Sequence, residues 1–266
     1  MDMQVYTSIK ASVKKLLNID LEHYKDEQMR RRLDSWLVRS GMKDWESYFL
    51  MVRDNPAEML RFRNYLTINV SEFFRDNNRW EALQKTVMPR LIAESQAKKP
   101  ARPLKLWSAG CSIGAEPYSL AMMLQEIAPL QDYTILATDL DRGALDNAKA
   151  GGPYPENIVQ NMPALYRDKY MEPGGPPYRV KTKIGSRIQF KEHNMLTENF
   201  DQNFDLIICR NVIIYFTNEA KALLYQKFHH ALRPGGILFL GGTEIIPRPQ
   251  ELGFKNLEVS FYIRNE

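Results

Sequence analysis

The sequence predicts a doubly wound α/β domain that follows an all-helical N-terminal domain and carries a small antiparallel β subdomain. Residues 104–124 read as an apolar strand, a tight turn of small residues and an apolar-periodic helix, which is the repeating unit of such a domain. Further apolar runs of strand length recur at residues 133–138, 204–211 and 237–240. Residues 1–85, by contrast, show helical periodicity throughout.

The N-terminal domain is predicted to cover residues 1–77, followed by a linker helix at residues 78–99 and the α/β domain at residues 100–266. Its first helix carries an apolar stripe formed by Val5, Ile9, Val13, Leu16 and Leu17. The next helices are expected at about residues 21–39, ending before a Gly41 cap, at residues 45–53, and from Pro56 onward.

The second helix combines an apolar face with a row of cations. Met29, Leu33 and Trp36 share the apolar face, whereas Lys25, Arg32 and Arg39 repeat every seven residues along another. Two interpretations remain open. The cations form either a solvated helix face or a docking surface for an acidic partner, because clustered arginines orient carboxylate-bearing surfaces.

Residues 64–79, NYLTINVSEFFRDNNR, place polar groups within an otherwise apolar segment. Ser71 followed by Glu72 suits a helix start with its cap at Asn69 or Ser71. A helix cap with surface charges accounts for this pattern. Alternatively, Arg75 on that helix pairs with the carboxylate end of an amino-acid moiety.

The turn within residues 104–124 and the acid after the next strand predict a ligand. Gly110 and Gly114 let the backbone approach a ligand closely, beside the N–H groups of the following helix. Asp139, at the end of the next strand, stands where a carboxylate can accept both hydroxyls of a ribose. The chain lacks G-x-G-x-x-G spacing, and Pro234-Gly235-Gly236 precedes a late strand. This order resembles S-adenosylmethionine-dependent methyltransferases more than nicotinamide-binding proteins.

Composition limits the class of protein. The 266 residues are 44% apolar and 26% charged, which is typical of a soluble globular protein. No apolar run approaches the roughly 18 residues of a membrane span, and the first residues lack a signal-peptide pattern, so a cytoplasmic location is expected. Two cysteines and four histidines argue against a disulfide scaffold and a metal site. The net charge of +4 is too small to indicate nucleic-acid binding.

The regular strand and helix alternation breaks between residues 141 and 190. Glycines and prolines punctuate this stretch, and residues 178–181 and 187–190 alternate as half-exposed strands do. We therefore expect a small antiparallel β subdomain at about residues 151–186.

Five motifs, in order, resemble the chemotaxis receptor methyltransferase (CheR) family: INVSEFFRD, LWSAGCSIGAEPYSLAM, ILATDLD, ICRNVIIYF and LRPGGILFLGGTE. The resemblance implies a protein-glutamate O-methyltransferase that moves a methyl group from S-adenosylmethionine to glutamate carboxylates on cytoplasmic helices of chemoreceptors. The product would be S-adenosylhomocysteine. It also implies a monomer that is recruited from the cytoplasm to receptor arrays and neither binds nucleic acid nor inserts into the membrane.

The resemblance also implies site residues. Its cofactor contacts fall on Asn69, Ser71, Arg75, Gly110, Glu116, Asp139, Asn194, Met195, Arg210 and Asn211. Arg75 would hold the methionine carboxylate, Glu116 the ammonium and Asp139 the ribose, whereas Asn194 and the Met195 backbone would read the adenine edge. Ser71 stands where threonine is common, and it keeps the hydroxyl.

A glutamate carboxylate, with a pKa of about 4.3, needs no general base near neutral pH, so the catalytic work is positioning. Tyr215 is expected beside the transferred methyl, with Arg210 and Arg75 orienting the carboxylate, and Lys25, Arg32 and Arg39 binding the receptor. The turn EPGGPPY is short, which favours an enzyme independent of a receptor C-terminal tether. Two alternatives remain: a methyltransferase acting on a small molecule or RNA, and a non-catalytic S-adenosylmethionine-binding adaptor.

Overall fold

Two units make up the chain in the structure, a computed structural model that describes residues 1–67 and 70–265. The first unit combines Met1–Ile68 with Ile213–Leu223, and the second combines Asn69–Val212 with Leu224–Glu266. The sequence prediction placed a linker helix at residues 78–99 between the two domains, and it did not anticipate that residues 213–223 join the helical unit.

The first unit is helical, as predicted. Its helices are α1 (Met3–Leu17), α2 (Asp26–Ser40), α3 (Trp45–Arg53) and α4 (Pro56–Leu66), and a 3-10 turn at Leu21–His23 precedes α2. The side chains of Asp2, Asp44 and Asn55 accept hydrogen bonds from first-turn amides and so cap α1, α3 and α4. Gly41 closes α2 with a φ of 70°.

Two details of these helices differ from the prediction. Tyr6, not Val5, joins Ile9, Val13 and Leu17 on the buried face of α1, while Val5 is 44% exposed. The α-helical part of α2 begins at Asp26, so Lys25 occupies the cap position rather than a helical turn. The residue before it, Tyr24, is extended and forms an isolated antiparallel bridge with Phe216.

The second unit is built on a seven-stranded sheet formed within residues 70–265. Its strands are β1 (Leu104–Ala109), β2 (Tyr133–Asp139), β3 (Ile188–Glu192), β4 (Phe204–Cys209), β5 (Leu232–Leu240), β6 (Phe254–Glu258) and β7 (Phe261–Arg264). The order is β3-β2-β1-β4-β5-β7-β6, with β1 to β5 parallel and β7 antiparallel to β5 and β6. The order reverses between β1 and β4, where doubly wound sheets bind ligands beyond their carboxyl ends.

Helices cover this sheet. They are α5 (Asn77–Ala82), α6 (Met88–Gln96), α7 (Ala115–Ile127) and α8 (Arg142–Lys149), with α12 (Asn218–Ala231) beginning in the first unit and ending in the second. A π-helical turn at Leu83–Val87 joins α5 to α6. The segment predicted as a linker helix lies in the core, because Trp80, Leu83, Val87, Met88 and Leu91 are buried there.

The insertion after α8 is more helical than predicted. It contains the short helices α9 (Glu156–Val159), α10 (Ala164–Tyr170) and α11 (Thr182–Gly185). The expected antiparallel pairing is present as two isolated bridges, Tyr154 with Tyr178 and Met171 with Val180. Residues 187–190, predicted as a half-exposed strand, correspond to β3, which runs parallel to β2 at the sheet edge rather than pairing with the insertion. A period of two cannot distinguish an edge strand of a parallel sheet from an antiparallel one.

Among the described residues, no helix is long and apolar enough to cross a membrane.

Candidate active site

The turn after β1 brings the backbone close to the end of β4. Gly110 has a φ of 82°, a conformation that side chains disfavour. A Cβ atom there would stand 2.5 Å from Cγ2 of Val212, which follows β4. Glycine is therefore required at residue 110 both by the backbone conformation and by the close packing of the two chain segments.

Glu116 lies in the first turn of α7, and its side chain is 15% exposed. Its Oε1 accepts a hydrogen bond from Ser108 Oγ at 2.7 Å, and its Oε2 is 4.0 Å from Arg210 Nη1. Burial raises the pKa of Glu116 to about 6, against the opposing effects of Arg210 and Ser108. The carboxylate is mostly ionised at pH 7 and suits an ammonium group.

Asp139 ends β2 and is held by the turn after β1. Its Oδ2 accepts from the Ser112 amide at 2.7 Å and its Oδ1 from the Asp141 amide at 2.9 Å. Burial raises its pKa, whereas the hydrogen bonds from Asp141 and Ser112 oppose the rise. An ionised carboxylate has about four lone-pair positions, so both oxygens retain capacity for ribose hydroxyls.

Arg210 directly follows β4, and its side chain is 2% exposed. Nη2 donates to Asp76 Oδ2 at 2.6 Å, and the guanidinium lies 4.8 Å from the ring centre of Phe239. Burial lowers the pKa of Arg210, and Glu116 and Asp76 oppose the shift. Its buried Nε has no hydrogen-bond partner among the described residues. This donor, left without a partner in the described part of the chain, could serve a polar ligand group.

Arg75 is half-buried and donates from Nη1 to the Val70 carbonyl at 2.9 Å. Its positive charge acts to lower the pKa of both Glu116 and Arg210, so these three predicted residues lie close enough to interact electrostatically.

The helix start predicted at Ser71 is wrong. Residues 70–76 are irregular, Phe74 and Asp76 have positive φ, and α5 begins at Asn77. Burial of Phe73 and Phe74 fixes this turn; Ser71 is half-buried, and Asn69 lies outside the described residues.

Asn194 and Met195 follow β3. Asn194 Oδ1 accepts from the Leu196 amide at 3.0 Å in a local turn, which fixes the orientation of its side-chain amide. Lys227 Nζ, on α12, donates to the carbonyls of Met195 at 2.6 Å and Glu198 at 2.7 Å. The loop predicted to read an adenine edge is therefore held on both sides.

Glu244 was not among the predicted site residues, although it ends the quoted motif LRPGGILFLGGTE. It is 4% exposed, and its carboxylate accepts from the amides of Asn211, Val212 and Gly241. A signal was available in the sequence: an acid two residues after a Gly-Gly turn that closes a strongly apolar strand.

The remaining predicted residues belong to the helical unit. Tyr215 ends a 3-10 turn at Ile213–Tyr215, and its carbonyl accepts from the Lys25 amide at 3.0 Å. Arg32 is half-buried: it donates to the Tyr65 carbonyl and lies 4.5 Å from the Tyr65 ring centre. Lys25 and Arg39 are exposed. Arg32 is therefore largely engaged within the unit, whereas the other two cations face solvent.

The strand order and the polar groups at the carboxyl ends of β1, β2 and β4 define an S-adenosylmethionine-dependent methyltransferase. Carboxylates can accept from ribose hydroxyls and from an ammonium, and arginines can donate to a carboxylate, so the residue types gathered here are compatible with that cofactor. Among the described residues, no group of His, Cys, Asp and Glu side chains is arranged to hold a metal ion.

The chain belongs to the CheR methyltransferase family. It matches the family's SAM binding domain over residues 69–263 and its all-alpha domain over residues 4–67. A chemotaxis protein methyltransferase of Listeria monocytogenes is 41% identical, covering 95% of this chain and 94% of the relative. That of Listeria innocua is 40% identical over the same shares, and that of Borreliella burgdorferi is 32% identical over 90% and 86%. The protein is thus a methyltransferase of chemotaxis that uses S-adenosylmethionine.

Proposed function

We propose that the protein methylates glutamate side-chain carboxylates on the cytoplasmic helices of chemoreceptors, giving methyl esters and S-adenosylhomocysteine during adaptation. The observation that carries this proposal is similarity to chemotaxis protein methyltransferases over both the helical and the α/β domain. A general methyltransferase core would account for the second domain alone.

The cofactor would be held by groups that differ in charge. Arg75 would bind its carboxylate, Glu116 its ammonium and Asp139 its ribose, whereas Asn194 and the Met195 backbone would contact the adenine. Further contacts are proposed for Asn69, Ser71, Gly110, Arg210 and Asn211. When bound, S-adenosylmethionine supplies an electrophilic methyl group on a sulfonium.

The nucleophile requires no proton removal, because a glutamate side chain with a pKa of about 4.3 is ionised near pH 7. The protein must instead align the carboxylate and exclude water from it. We assign this orientation to Arg210, Arg75 and Tyr215. Tyr215→Phe should slow turnover while leaving the affinity for S-adenosylhomocysteine largely unchanged.

Receptor binding is assigned to the cations of α2 and its cap. Arg39 and Lys25 are exposed and available to acidic receptor side chains, whereas Arg32 supports Arg39 through their shared contact with the Tyr65 ring. We propose a monomer that works at receptor arrays without a C-terminal tether peptide. Arg39→Glu should raise the KM for receptor, whereas Lys15→Glu, the same charge change at an exposed position of α1, should not.

The test is transfer of radiolabelled methyl from S-adenosylmethionine to membranes that contain chemoreceptors of the same organism, followed by mild base. Base-labile label on receptor glutamates is expected, and receptors with those glutamates replaced by alanine are the control. Absence of label, with S-adenosylhomocysteine binding intact by calorimetry, would refute the receptor assignment. Attention would then turn to a small-molecule substrate or to an adaptor role.

A further inference from the structure

Glu244 joins the ends of two strands through backbone hydrogen bonds. Its Oε2 accepts from the Asn211 amide at 2.7 Å and from the Gly241 amide at 2.8 Å, and its Oε1 accepts from the Val212 amide at 3.0 Å. Asn211 and Val212 follow β4, and Gly241 follows β5. Hydrogen bonds to an ionised, buried acceptor are roughly twice as strong as neutral ones, so the carboxylate fixes both turns.

The restrained turn also contacts the cofactor loop. Asn211 has a φ of 60°, a left-handed turn conformation that asparagine tolerates, and its amide is held in place by the bond to Glu244. The next residue, Val212, packs so tightly on the turn after β1 that a Cβ at Gly110 would meet it at 2.5 Å. The Glu244 carboxylate therefore constrains the turns after β4 and β5 directly, and the turn after β1 through the packing of Val212.

Gly241 shows how closely this arrangement is packed. A Cβ at Gly241 would stand 2.5 Å from Glu244 Oε2 and 3.0 Å from the Asn211 amide nitrogen. The neighbouring Gly242 has open space, with nothing within 4 Å of such an atom. Neither glycine has a positive φ, so an alanine at either position tests packing alone.

We infer that Glu244 is a positioning residue for the methyl-transfer reaction: it holds Arg210, Asn211 and the loop at Gly110 in the geometry that binds S-adenosylmethionine. This inference rests on the cofactor contacts proposed for these residues. It adds a residue that acts through the backbone of its neighbours rather than by touching the cofactor.

Glu244→Gln is the first variant. Both carboxylate oxygens accept from backbone amides, so in either orientation the NH₂ group of the glutamine side chain faces a backbone N–H. At least one of the three hydrogen bonds is therefore lost. We expect the Kd for S-adenosylhomocysteine, measured by calorimetry, to rise about 10-fold or more. Hydrogen exchange at the amides of Asn211, Val212 and Gly241 should accelerate, while that at Ile207 and Leu238, at the centre of the β4–β5 pairing, should not.

Gly241→Ala and Gly242→Ala form a matched pair that leaves the charge unchanged. The first should weaken S-adenosylhomocysteine binding in the same direction as Glu244→Gln, because the added methyl displaces the carboxylate. The second should stay within about twofold of the unaltered protein. Gly241→Ala also keeps the inference testable if Glu244→Gln does not fold, and Glu244→Asp, which retains the charge, should restore part of the affinity.

A purely structural role would lower Tm while the folded fraction kept its affinity and its exchange pattern. Unchanged affinity in both Glu244→Gln and Gly241→Ala would overturn the inference, as would unchanged exchange at Asn211 and Val212. Neither measurement uses a receptor. Failure of the proposed receptor substrate and failure of this inference are therefore separate outcomes.

Discussion

Buried carboxylates at the two ends of the parallel strands have pKa values that are shifted in opposite directions. We call the amino-terminal ends of these strands the amino edge and their carboxyl-terminal ends the carboxyl edge. At the amino edge, Asp205 near the start of β4 is fully buried and accepts from Arg102 Nη1 at 2.8 Å, Arg233 Nε at 2.6 Å and the Lys105 amide at 2.9 Å. Burial alone would raise its pKa, but the hydrogen bonds from Arg102 and Arg233 outweigh it and lower the pKa. At the carboxyl edge, burial prevails and raises the pKa of Glu116 and of Asp139.

The two sites differ in how many positively charged or hydrogen-bonding partners each carboxylate has. Asp205 has two arginine partners, one of which, Arg233, also binds Glu94, so this charge is compensated within the protein. Glu116 has one hydroxyl donor and a distant arginine, so its charge is only partly compensated. Partly compensated buried carboxylates are typical of binding and catalytic sites. The paired charges at the amino edge therefore favour a stabilising role, and the partly compensated carboxylate at the carboxyl edge favours the proposed binding role.

The largest expected effect is on stability at the amino edge. Asp205→Ala leaves two arginines beside a buried site, so the free energy of unfolding should fall by about 3–5 kcal/mol. Urea denaturation followed by circular dichroism measures it, with Asp201→Ala as control because Asp201 is exposed and 3.9 Å from Lys105. The affinity of the folded variant for S-adenosylhomocysteine should not change. A loss below about 1 kcal/mol would mean that the arginines do not depend on Asp205.

The second effect is on binding at the carboxyl edge. Asp139→Asn places an amide NH₂ against the Ser112 or Asp141 amide and removes the charge offered to a ribose. The Kd for S-adenosylhomocysteine should rise about 100-fold, and the lost buried hydrogen bond should lower the free energy of unfolding by about 1–3 kcal/mol, less than Asp205→Ala does. Asp132→Asn, at an exposed position paired with Arg187, is the matched control and should bind normally. Equal loss of stability in Asp139→Asn and Asp205→Ala would remove the distinction between the two edges.

The smallest effect is on pH dependence. The folded pKa of Glu116 is about 6 against 4.5 for the ordinary side chain, so the native state holds more protons between these values. The free energy of unfolding contributed by Glu116 should therefore fall by about 2 kcal/mol in all as the pH rises from well below 4.5 to above about 7, with about 1 kcal/mol of this fall between pH 5 and pH 7. Asp205 has the opposite sign, because its contribution is lost as the pH falls through its lowered pKa.

Denaturation of ligand-free protein at pH 5 and pH 7 tests this expectation. Relative to the unaltered protein, Glu116→Gln should gain about 1 kcal/mol of unfolding free energy between pH 5 and pH 7, because the contribution of Glu116 is absent, whereas Glu251→Gln, at an exposed position, should follow the unaltered profile. An identical pH profile for Glu116→Gln and the unaltered protein would contradict the raised pKa.

Local sequence predicted much of this fold. The apolar runs predicted as strands at residues 133–138 and 204–211 correspond to β2 and β4, although β4 already ends at Cys209, and the bounds of α3 and the Gly41 cap were correct. These features depend on periodicity and on cap chemistry, which neighbouring residues decide. The predictions failed where the local conformation depends on contacts with residues far away in the sequence. Residues 71–76 resemble a capped helix, yet burial of Phe73 and Phe74 against the sheet core makes them a turn.

The candidate site divides in the same way. Gly110 and Asp139 were predicted as site residues from the order of a strand, a turn, a helix and a second strand, whereas Glu116 was implied by the family resemblance. Glu244 was missed because its partners at residues 211 and 212 are distant in the chain. The half-burial of Arg32 against Tyr65 likewise depends on packing between α2 and α4, which a seven-residue spacing does not reveal.

The sequence by itself determined the family, the alternation of strands and helices around β1, β2 and β4, and which residue types are present for a nucleoside cofactor. Only the tertiary structure decided which carboxylates are paired and which are not. Pairing depends on burial and on charges brought together from β1, β4, α7 and the segment before α5, and a pKa responds to all of them at once. For this reason Glu116 and Asp205, both acids beside arginines, have opposite shifts that their local sequences do not distinguish.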